Sequence, residues 1–412
     1  MRGFLIVAEK ELRDYFTGKR FIALFAVVML LCIAGMVTGL YGYNEQLKSY
    51  KNAQASQQSD PYYQQKIVDQ QNLIDDAEAR GESPEYVSEL KAGLHAISDP
   101  PMPSVLLFIS GVSLVFMTVG ALLAIVMGFN LITREKESGT LKLLLTRPTY
   151  RDSVINGKAI AGFATIVVVF GASFLITLAI MLLYNVVPGM DDLLRIIAFF
   201  IVAMLYMLLF FSISMLISTL SPSSTVAILA SMGVFIFMTI LLGIGGLTGA
   251  LLAGPMPEQP AIIANGLHSS GDMNASSGGS SGYSIDSYGV TYYMRGYNES
   301  DPQVIAYRQA MADYDRQLKT HNQRQQQVSD VISLLSPIGN FNKLTEVIVF
   351  KYAPGQQSYA SYGSYFYAYG TSKELSVLES LSYRWTYLLV FIVEIVAAFG
   401  LSYIFFMRVD VA

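Results

Sequence analysis

One short stretch of the sequence carries most of the side chains that could do chemistry. Residues 134–148 begin with a charged cluster, continue through Ser-Gly-Thr into a leucine run and end at Pro148, and Arg151 follows. A helix with one charged and one apolar face either docks into a groove of a soluble partner or lies at a membrane surface. The stretch therefore predicts a short amphipathic helix with one of these two roles, ended by the proline.

Motifs for catalysis and nucleotide binding are absent from the sequence. The Gly-Lys pairs at 18–19 and 157–158 lack the upstream glycine of a phosphate-binding loop. The three histidines have no partner at a zinc-like spacing, and Cys32 is the single cysteine. We expect no catalytic residue, no metal site and no cofactor bound by the chain itself.

One acidic residue, Glu394, lies about ten residues into an apolar stretch near the C-terminus. An acidic group at the centre of a bilayer costs about 2.5–3.5 kcal/mol on insertion scales, so it should face protein or water. Glu394 either handles a substrate or proton, or forms a structural hydrogen bond between helices as a neutral carboxyl. The sequence offers no second group for a proton relay, which favours the structural role.

The elements that position these residues are membrane spans. Apolar residues make up 53% of the chain and charged residues 14%, whereas soluble domains carry about 25% charged residues. The net charge of −4 argues against nucleic-acid binding. A bilayer needs about 20 apolar residues per helix. The predicted fold class is therefore an all-α membrane protein with six transmembrane helices, at residues 21–43, 104–129, 159–184, 193–220, 225–253 and 385–407.

The distribution of Lys and Arg predicts the orientation of these spans. Twelve of the 27 lie in three short segments, residues 1–20, 130–158 and 408–412. Basic residues concentrate on the cytoplasmic side of a membrane protein. We therefore predict a multi-pass protein of the cell membrane in which both termini and the 130–158 loop are cytoplasmic, and residues 44–103 and 254–384 lie outside.

The two outside segments predict a large, mainly helical extracytoplasmic domain. Asp301-Pro302 is a typical helix start, and mainly apolar side chains recur at a 3-4 spacing up to Leu335. A helix over residues 302–335 would be about 50 Å long, and its regular seam favours a helical partner. The outside helices either form a coiled-coil-like stalk, which could bind an envelope partner, or cap the membrane domain.

A small Gly-, Ser- and Tyr-rich part belongs to the same domain. Residues 266–300 predict a flexible loop or a short hairpin. Asn274 and Asn298 begin Asn-x-Ser sequons and are candidate glycosylation sites. Five tyrosines within residues 359–369 predict either an aromatic surface that contacts a ligand or partner, or an interfacial belt or strand.

The charged stretch resembles that of type-2 ABC exporter permeases. Those proteins share an acidic pair, Gly-Thr-Leu, a leucine run, proline, a basic residue and Gly-Lys, which here extend from Glu135 to Lys158. Residues 8–16 resemble the amphipathic helix that precedes the family's first span, and residues 334–337, Leu-Leu-Ser-Pro, resemble the family's segment before the last span. The resemblance covers residues 1–43, 102–253 and 331–407 and leaves uncovered the parts of the predicted outside domain that lie between these ranges.

The resemblance implies a subunit of an ATP-driven exporter. The chain would form a homodimer, or a heterodimer with a similar chain, above two separate ATPase subunits that bind ATP and Mg²⁺. The charged stretch would be the coupling helix that sits in a groove of the ATPase. The implied coupling residues are Arg134, Glu135, Lys136, Glu137, Ser138, Gly139, Thr140, Leu141, Leu144, Arg147, Pro148 and Arg151, and those of the cytoplasmic amphipathic helix are Glu9, Lys10, Glu11 and Arg13.

Two Gly-x-x-x-Gly pairs could support close helix packing. Gly35 and Gly39 lie in the first span, and Gly245 and Gly249 lie in the fifth. In the family that the sequence resembles, these two spans lie near the dimer interface. The alternative is close packing inside one protomer, and the sequence leaves both open.

Two further functions remain open at this point. The first is an ABC-type machine that does not transport and instead relays ATP-driven motion to its extracytoplasmic domain and an envelope partner. The second is a membrane receptor or scaffold without an ATPase. The absence of charged residues that could line a pore favours the relay, and the family resemblance favours the exporter. The sequence does not indicate a substrate.

Overall fold

The computed structural model describes residues 3–59, 61–81, 104–139, 151–258, 302–351, 357–362, 365–370 and 375–408, with single helical positions at 87, 90, 91, 94 and 98. Residues 140–148 of the charged stretch lie outside the described residues, as do Asn274 and Asn298. The side chain of Arg151 is also outside the description.

The described chain is built mainly from helices. In chain order they are α1 (Gly3–Thr17), α2 (Lys19–Ser59), α3 (Pro61–Ala79), α4 (Phe108–Val115), α5 (Ala121–Gly128), α6 (Thr133–Glu137), α7 (Arg151–Leu183), α8 (Met190–Leu220), α9 (Ser224–Ala253), α10 (Pro302–Leu334), α11 (Pro337–Val349), α12 (Val377–Ser382) and α13 (Trp385–Met407). A 3₁₀ turn, Val105–Leu107, precedes α4, and a π-helical segment, Phe116–Gly120, joins α4 to α5.

Six helical stretches of the described residues are long and apolar enough to cross a membrane. We call them spans 1 to 6: Phe21–Asn52, Gly111–Glu137, Asp152–Leu183, Met190–Leu220, Ser224–Ala253 and Trp385–Met407. Each overlaps one of the six stretches that the sequence predicts. The helix of span 1 extends far beyond residue 43 because its polar continuation is rich in Gln, Lys and Ala, which favour helix, and Pro61 is the first proline after it.

The described residues form two compact units. One comprises Met1–Thr239 and Ser336–Ala412, and the other comprises Ile240–Leu335. The first unit is centred on α8, which packs against α5, α7, α11 and α13. Large side chains of α8 are fully buried, among them Phe199, Tyr206 and Phe210.

Span 2 is interrupted at its end, and this interruption positions the charged cluster. The chain forms turns over residues 129–132 before α6 begins. Ser218 of α8 accepts hydrogen bonds at its hydroxyl from the backbone N–H groups of Ile132 (3.1 Å) and Thr133 (3.2 Å). These bonds satisfy donors that the interrupted helix leaves open, so α6 starts against the end of α8.

In the second unit, the last turns of span 5 pack along α10. A Cβ on Gly249 would lie 2.7 Å from the carbonyl oxygen of Gln325, and one on Gly245 would lie 3.1 Å from Ile332. The His321 ring is 3.0 Å from the carbonyl oxygen of Gly254. The apolar seam of α10 therefore has a helical partner within the same chain, and that partner is span 5.

A two-stranded hairpin contains the tyrosine repeat. Strand β1 (Gln357–Tyr362) pairs with strand β2 (Tyr365–Gly370) in antiparallel register, so that Tyr362 lies opposite Tyr365. Tyrosine fits strands well, and a strand was one of the two interpretations that the sequence left open. Apart from this hairpin, the regular structure of the described residues is helical.

Candidate functional site

A buried cluster of three charges joins segments that are distant in sequence. The Lys158 Nζ atom lies 2.7 Å from Glu11 Oε1 and 2.9 Å from Glu135 Oε1. The Lys158 side chain is only 2% exposed, and each glutamate side chain is 13% exposed. Lys158 belongs to α7, Glu11 to α1 and Glu135 to α6, so one ammonium group holds three helices together.

Gly157, the residue before Lys158, allows α1 and α7 to come close enough for these ion pairs. A Cβ on Gly157 would lie 2.7 Å from the Cβ of Val7 and 2.8 Å from the carbonyl oxygen of Phe4. No side chain fits at such a separation, so α1 can lie against α7 only because residue 157 is glycine. Gly157 thus allows α1 and α7 to approach closely, and Lys158 next to it pairs with Glu11 and Glu135.

Tyr15 makes a second connection from α1 to the same region. Its hydroxyl donates a hydrogen bond of 2.9 Å to the carbonyl of Met127 in α5. Burial, together with the nearby Glu11 carboxylate, raises the pKa of the Tyr15 hydroxyl. The hydroxyl therefore keeps its proton and remains a donor at physiological pH.

Two neighbouring residues of α6 contact the ends of spans 4 and 5. The Lys136 Nζ atom donates to the carbonyls of Thr219 and Ser221, at the C-terminal end of span 4. Glu137 accepts hydrogen bonds from the backbone N–H (2.8 Å) and the hydroxyl (2.7 Å) of Ser224, the first residue of span 5. A cation at a helix C-terminus and an anion at a helix N-terminus are both favourable, so α6 fits the turn between the two spans.

The predicted coupling residues divide into two groups. Glu11, Glu135, Lys136 and Glu137 make the contacts within the chain described above. The remaining predicted positions with described side chains are exposed: Glu9, Lys10, Arg13, Arg134, Ser138 and Gly139. The first group joins the helices of the site, whereas the second group lies on the surface of the chain.

The four glycines predicted for close packing all contact residues of the same chain. A Cβ on Gly35 would lie 3.0 Å from the carbonyl oxygen of Gly111, and one on Gly39 would lie 2.5 Å from the Cα of Phe108. Gly245 and Gly249 face α10, as described above. Packing inside one protomer therefore accounts for these glycines, and their role in a dimer interface stays a prediction.

Glu394 lies half-buried in span 6 and hydrogen-bonds to the side chain of Asn340 in α11. Asn340 is fully buried. This contact is a hydrogen bond between two helices, and a structural role for Glu394 stays a prediction. Its use in handling a substrate or a proton stays a prediction.

The sequence interpretation missed Arg195, a fully buried residue near the start of span 4. Its guanidinium group pairs with Asp191 at 2.7 Å and donates to the carbonyls of Val347 (3.4 Å) and Ile348 (3.0 Å), at the end of α11. It also donates to the Leu375 carbonyl and to the Ser380 hydroxyl. One signal was present, because Arg195 is the only Lys or Arg between positions 158 and 295 and follows Asp191 by four residues.

Comparison with known families decides the class of the protein. The model of the family described as ABC-2 family transporter protein matches residues 5–411. The chain belongs to the ABC-2 transporter family. Among curated proteins, none matches this sequence. The family match confirms the resemblance, and it also extends through residues 44–101 and 254–330, which the resemblance left uncovered.

Membership of this family has direct consequences for the chain. An ABC-2 permease is a multi-pass membrane subunit without an ATPase site of its own, in agreement with the six spans and the missing phosphate-binding loop. The family also implies a partner, an ABC ATPase subunit. The cluster around Lys158 therefore belongs to the transmembrane subunit of an ABC-2 transporter.

Proposed function

We propose that the chain is the permease subunit of an ATP-driven exporter. In this proposal a separate ATPase subunit, present in two copies, binds ATP and Mg²⁺ and docks on the charged stretch that begins at Arg134. The permease forms a homodimer in the cell membrane, with both termini and this stretch on the cytoplasmic side. Export, rather than import, rests on the family that the sequence resembles.

The observation that carries the proposal is the buried cluster of Glu11, Lys158 and Glu135. A force applied to the charged stretch reaches α6, which is the last helix of span 2. From there Lys158 carries it to span 3 and to α1, while Lys136 and Glu137 carry it to the ends of spans 4 and 5. Five helices thus respond to one short segment, as a coupling element requires.

The partition of charges supports the same function. The exposed residues Arg134, Ser138 and Gly139 lie beside the buried contacts, so a partner can bind them without breaking the cluster. Gly139 adopts a left-handed backbone conformation with φ of 70°. Because glycine adopts this conformation readily, it lets the chain turn out of α6 towards the segment that would enter the ATPase groove.

The test is the behaviour of the complex isolated from native membranes. We expect an ABC ATPase to co-purify with the intact chain, and we expect the double variant Glu135→Arg with Gly139→Trp to abolish assembly or ATPase stimulation. The matched control is Glu78→Arg, which changes an exposed glutamate that pairs with Lys91 on the surface. Unchanged coupling in the double variant would refute the assignment. Purification without any ATPase would favour the receptor or scaffold.

A second candidate function keeps the architecture and omits transport. Span 5 is a continuous helix. It begins at the contact with Glu137, and its last turns pack against α10. Motion of span 5 would therefore be passed to α10 and to the predicted extracytoplasmic domain, which could act on an envelope partner.

One variant separates this relay from the exporter. Gly249→Leu should push α10 away from span 5 because a Cβ there would already lie 2.7 Å from Gln325. The matched control is Gly246→Leu, since a Cβ at Gly246 meets nothing within 4 Å. If the relay operates, only Gly249→Leu abolishes function in the cell while ATP hydrolysis continues. Full function in Gly249→Leu would favour the exporter.

A further inference from the structure

Span 2 contains a π-helical turn, well before the interruption at residues 129–132. The backbone N–H of Ala121 donates to the carbonyls of Phe116 and Thr118, which flank Met117. The carbonyl of Met117 accepts the hydroxyl of Tyr206 in span 4, at 2.7 Å. π-helical turns are rare, occur mostly as single bulges inside α-helices and are a recognised cause of helix kinks. Tyr206 thus binds a backbone carbonyl within the bulge.

The bulge separates two halves of span 2 that have different neighbours. The first half, α4, packs on span 1, where Gly35 and Gly111 bring the two backbones close together. The second half, α5, packs on span 4, where the Ser214 hydroxyl donates to the Ile125 carbonyl at 2.9 Å. The change of neighbour coincides with the π-helical segment.

The bulge is also firmly packed into the core. The Phe116 ring is fully buried and stacks on Phe170 of span 3, with the ring centroids 4.6 Å apart. The Thr118 hydroxyl donates to the Leu114 carbonyl, a kind of bond that often bends helices. Packed cores tend to switch between discrete arrangements rather than deform smoothly.

We propose that the π-helical segment Phe116–Gly120 is a hinge between the two halves of span 2, and that the Tyr206 hydroxyl sets its resting position through the Met117 carbonyl. The second half and the α6 cluster that follows it turn together at this hinge, while the first half stays with span 1. Because the hinge is a property of the chain alone, its test does not depend on an ATPase or on the proposed function.

The test measures the length and bending of span 2 in the full chain in lipid nanodiscs. Spin labels at Val105→Cys and Val126→Cys, in a Cys32→Ala background, would be about 30 Å apart along a straight helix. We expect Tyr206→Phe, which keeps the ring and removes the hydroxyl, to broaden the distance distribution. The same variant should raise amide hydrogen exchange in residues 116–122 about fivefold, as expected for the loss of one hydrogen bond.

The matched control removes a different hydroxyl that joins the same two spans. Ser214→Ala deletes the bond to Ile125, outside the π-helical segment, and should leave the distance distribution unchanged. Deletion of Thr118, which removes the extra residue of the bulge, should narrow the distribution. The proposal is overturned if Tyr206→Phe leaves the spin-label distances and the amide hydrogen exchange unchanged, or if Ser214→Ala changes them equally. It is also overturned if the deletion of Thr118 leaves the width of the distance distribution unchanged.

Discussion

At the scale of single residues, Lys158 is a charged residue that is almost completely buried. Burying a charge is costly, and the cost is offset only when partners lie close and in good geometry. Lys158 has two carboxylates within 3 Å of its ammonium group. Removing it would leave two acids together in a largely buried site.

Replacement of Lys158 by methionine, which has similar length and no charge, should therefore lower the free energy of unfolding by about 3–5 kcal/mol. Thermal unfolding of the purified chain in detergent measures this loss. The matched control is Lys91→Met, because Lys91 pairs with Glu78 in a fully solvated setting where both side chains are at least half exposed. We expect the control to change stability by less than about 1 kcal/mol. If the two substitutions lowered the free energy of unfolding equally, the buried Lys158 cluster would contribute no more to stability than the exposed Lys91 pair.

Gly157 offers a second test at the same scale. Gly157→Ala places a methyl group against Val7 and Phe4, so we expect a loss of about 1–3 kcal/mol as α1 is displaced. Gly171→Ala in the same helix meets nothing within 4 Å and should be neutral or stabilising, by up to about 1 kcal/mol. Protease cleavage between α1 and span 1 reports the displacement. A neutral Gly157→Ala would contradict the close approach of α1 and α7.

The sequence singled out two of the segments that meet in this cluster, but not the contacts that join them. The charged stretch and the amphipathic helix are visible as local patterns, and both contribute to the cluster. The contact between Glu11 and Lys158 spans 147 positions, and no local pattern encodes such a pairing. Arg195 was missed for a related reason. Most of its partners are backbone carbonyls, and because every residue has one, the sequence does not reveal which of them Arg195 contacts.

At the scale of elements, Arg195 holds α11 and the segment before span 6 against span 4. Its guanidinium group contacts the last carbonyls of α11, where a cation also opposes the negative end of the helix dipole. Lys351, just after α11, adds a 3.1 Å ion pair with Asp192. The two basic residues together fix the end of α11 to the start of span 4.

Arg195→Gln should release the end of α11. We expect a loss of about 2–4 kcal/mol in stability, because hydrogen bonds to a charged donor are lost in a buried site. Amide hydrogen exchange should rise in α11 and α12 and remain unchanged in α6. The control is Arg316→Gln, which removes an exposed pair with Asp313. Unchanged exchange in α11 and α12 would show that Arg195 does not hold these helices.

Gly39 tests whether the glycines of span 1 serve packing within the chain. Gly39→Leu would force the helix away from Phe108, where a Cβ already comes within 2.5 Å of the Cα atom. We expect a loss of stability of about 1–3 kcal/mol at any protein concentration. Gly42→Leu, one turn later, meets nothing within 4 Å and should be tolerated. A loss that appears only as weaker dimer formation would instead favour the predicted dimer interface.

At the scale of the whole molecule, the six spans and their helical nature could be predicted because apolar length is a strong signal. The long helix α10 was visible from its regular spacing, whereas its partner, span 5, was not. The π-helical turn of span 2 could not be predicted from the hydrophobic pattern. A uniformly apolar helix has no alternation of polar and apolar faces that an inserted residue would shift. Family membership then connects the architecture to an ATPase partner.

The predicted orientation can be checked on whole cells because the chain has a single, buried cysteine. In a Cys32→Ala background, a membrane-impermeant maleimide should label Glu258→Cys from outside and should label Ser138→Cys only after the membrane is opened. Both positions are described and neither is buried. Labelling of Ser138→Cys from outside would reverse the orientation and place the charged stretch away from any cytoplasmic ATPase.

The most direct test of the central claim is the ATP hydrolysis rate of the intact complex carrying Glu135→Gln. This variant keeps the Glu11–Lys158 pair and removes only the charge by which α6 joins the cluster. We predict that the complex still assembles and that permease-stimulated hydrolysis falls about tenfold, whereas Glu78→Gln leaves it unchanged. Normal stimulation in a fully assembled Glu135→Gln complex would contradict the claim that this cluster couples the ATPase to the spans.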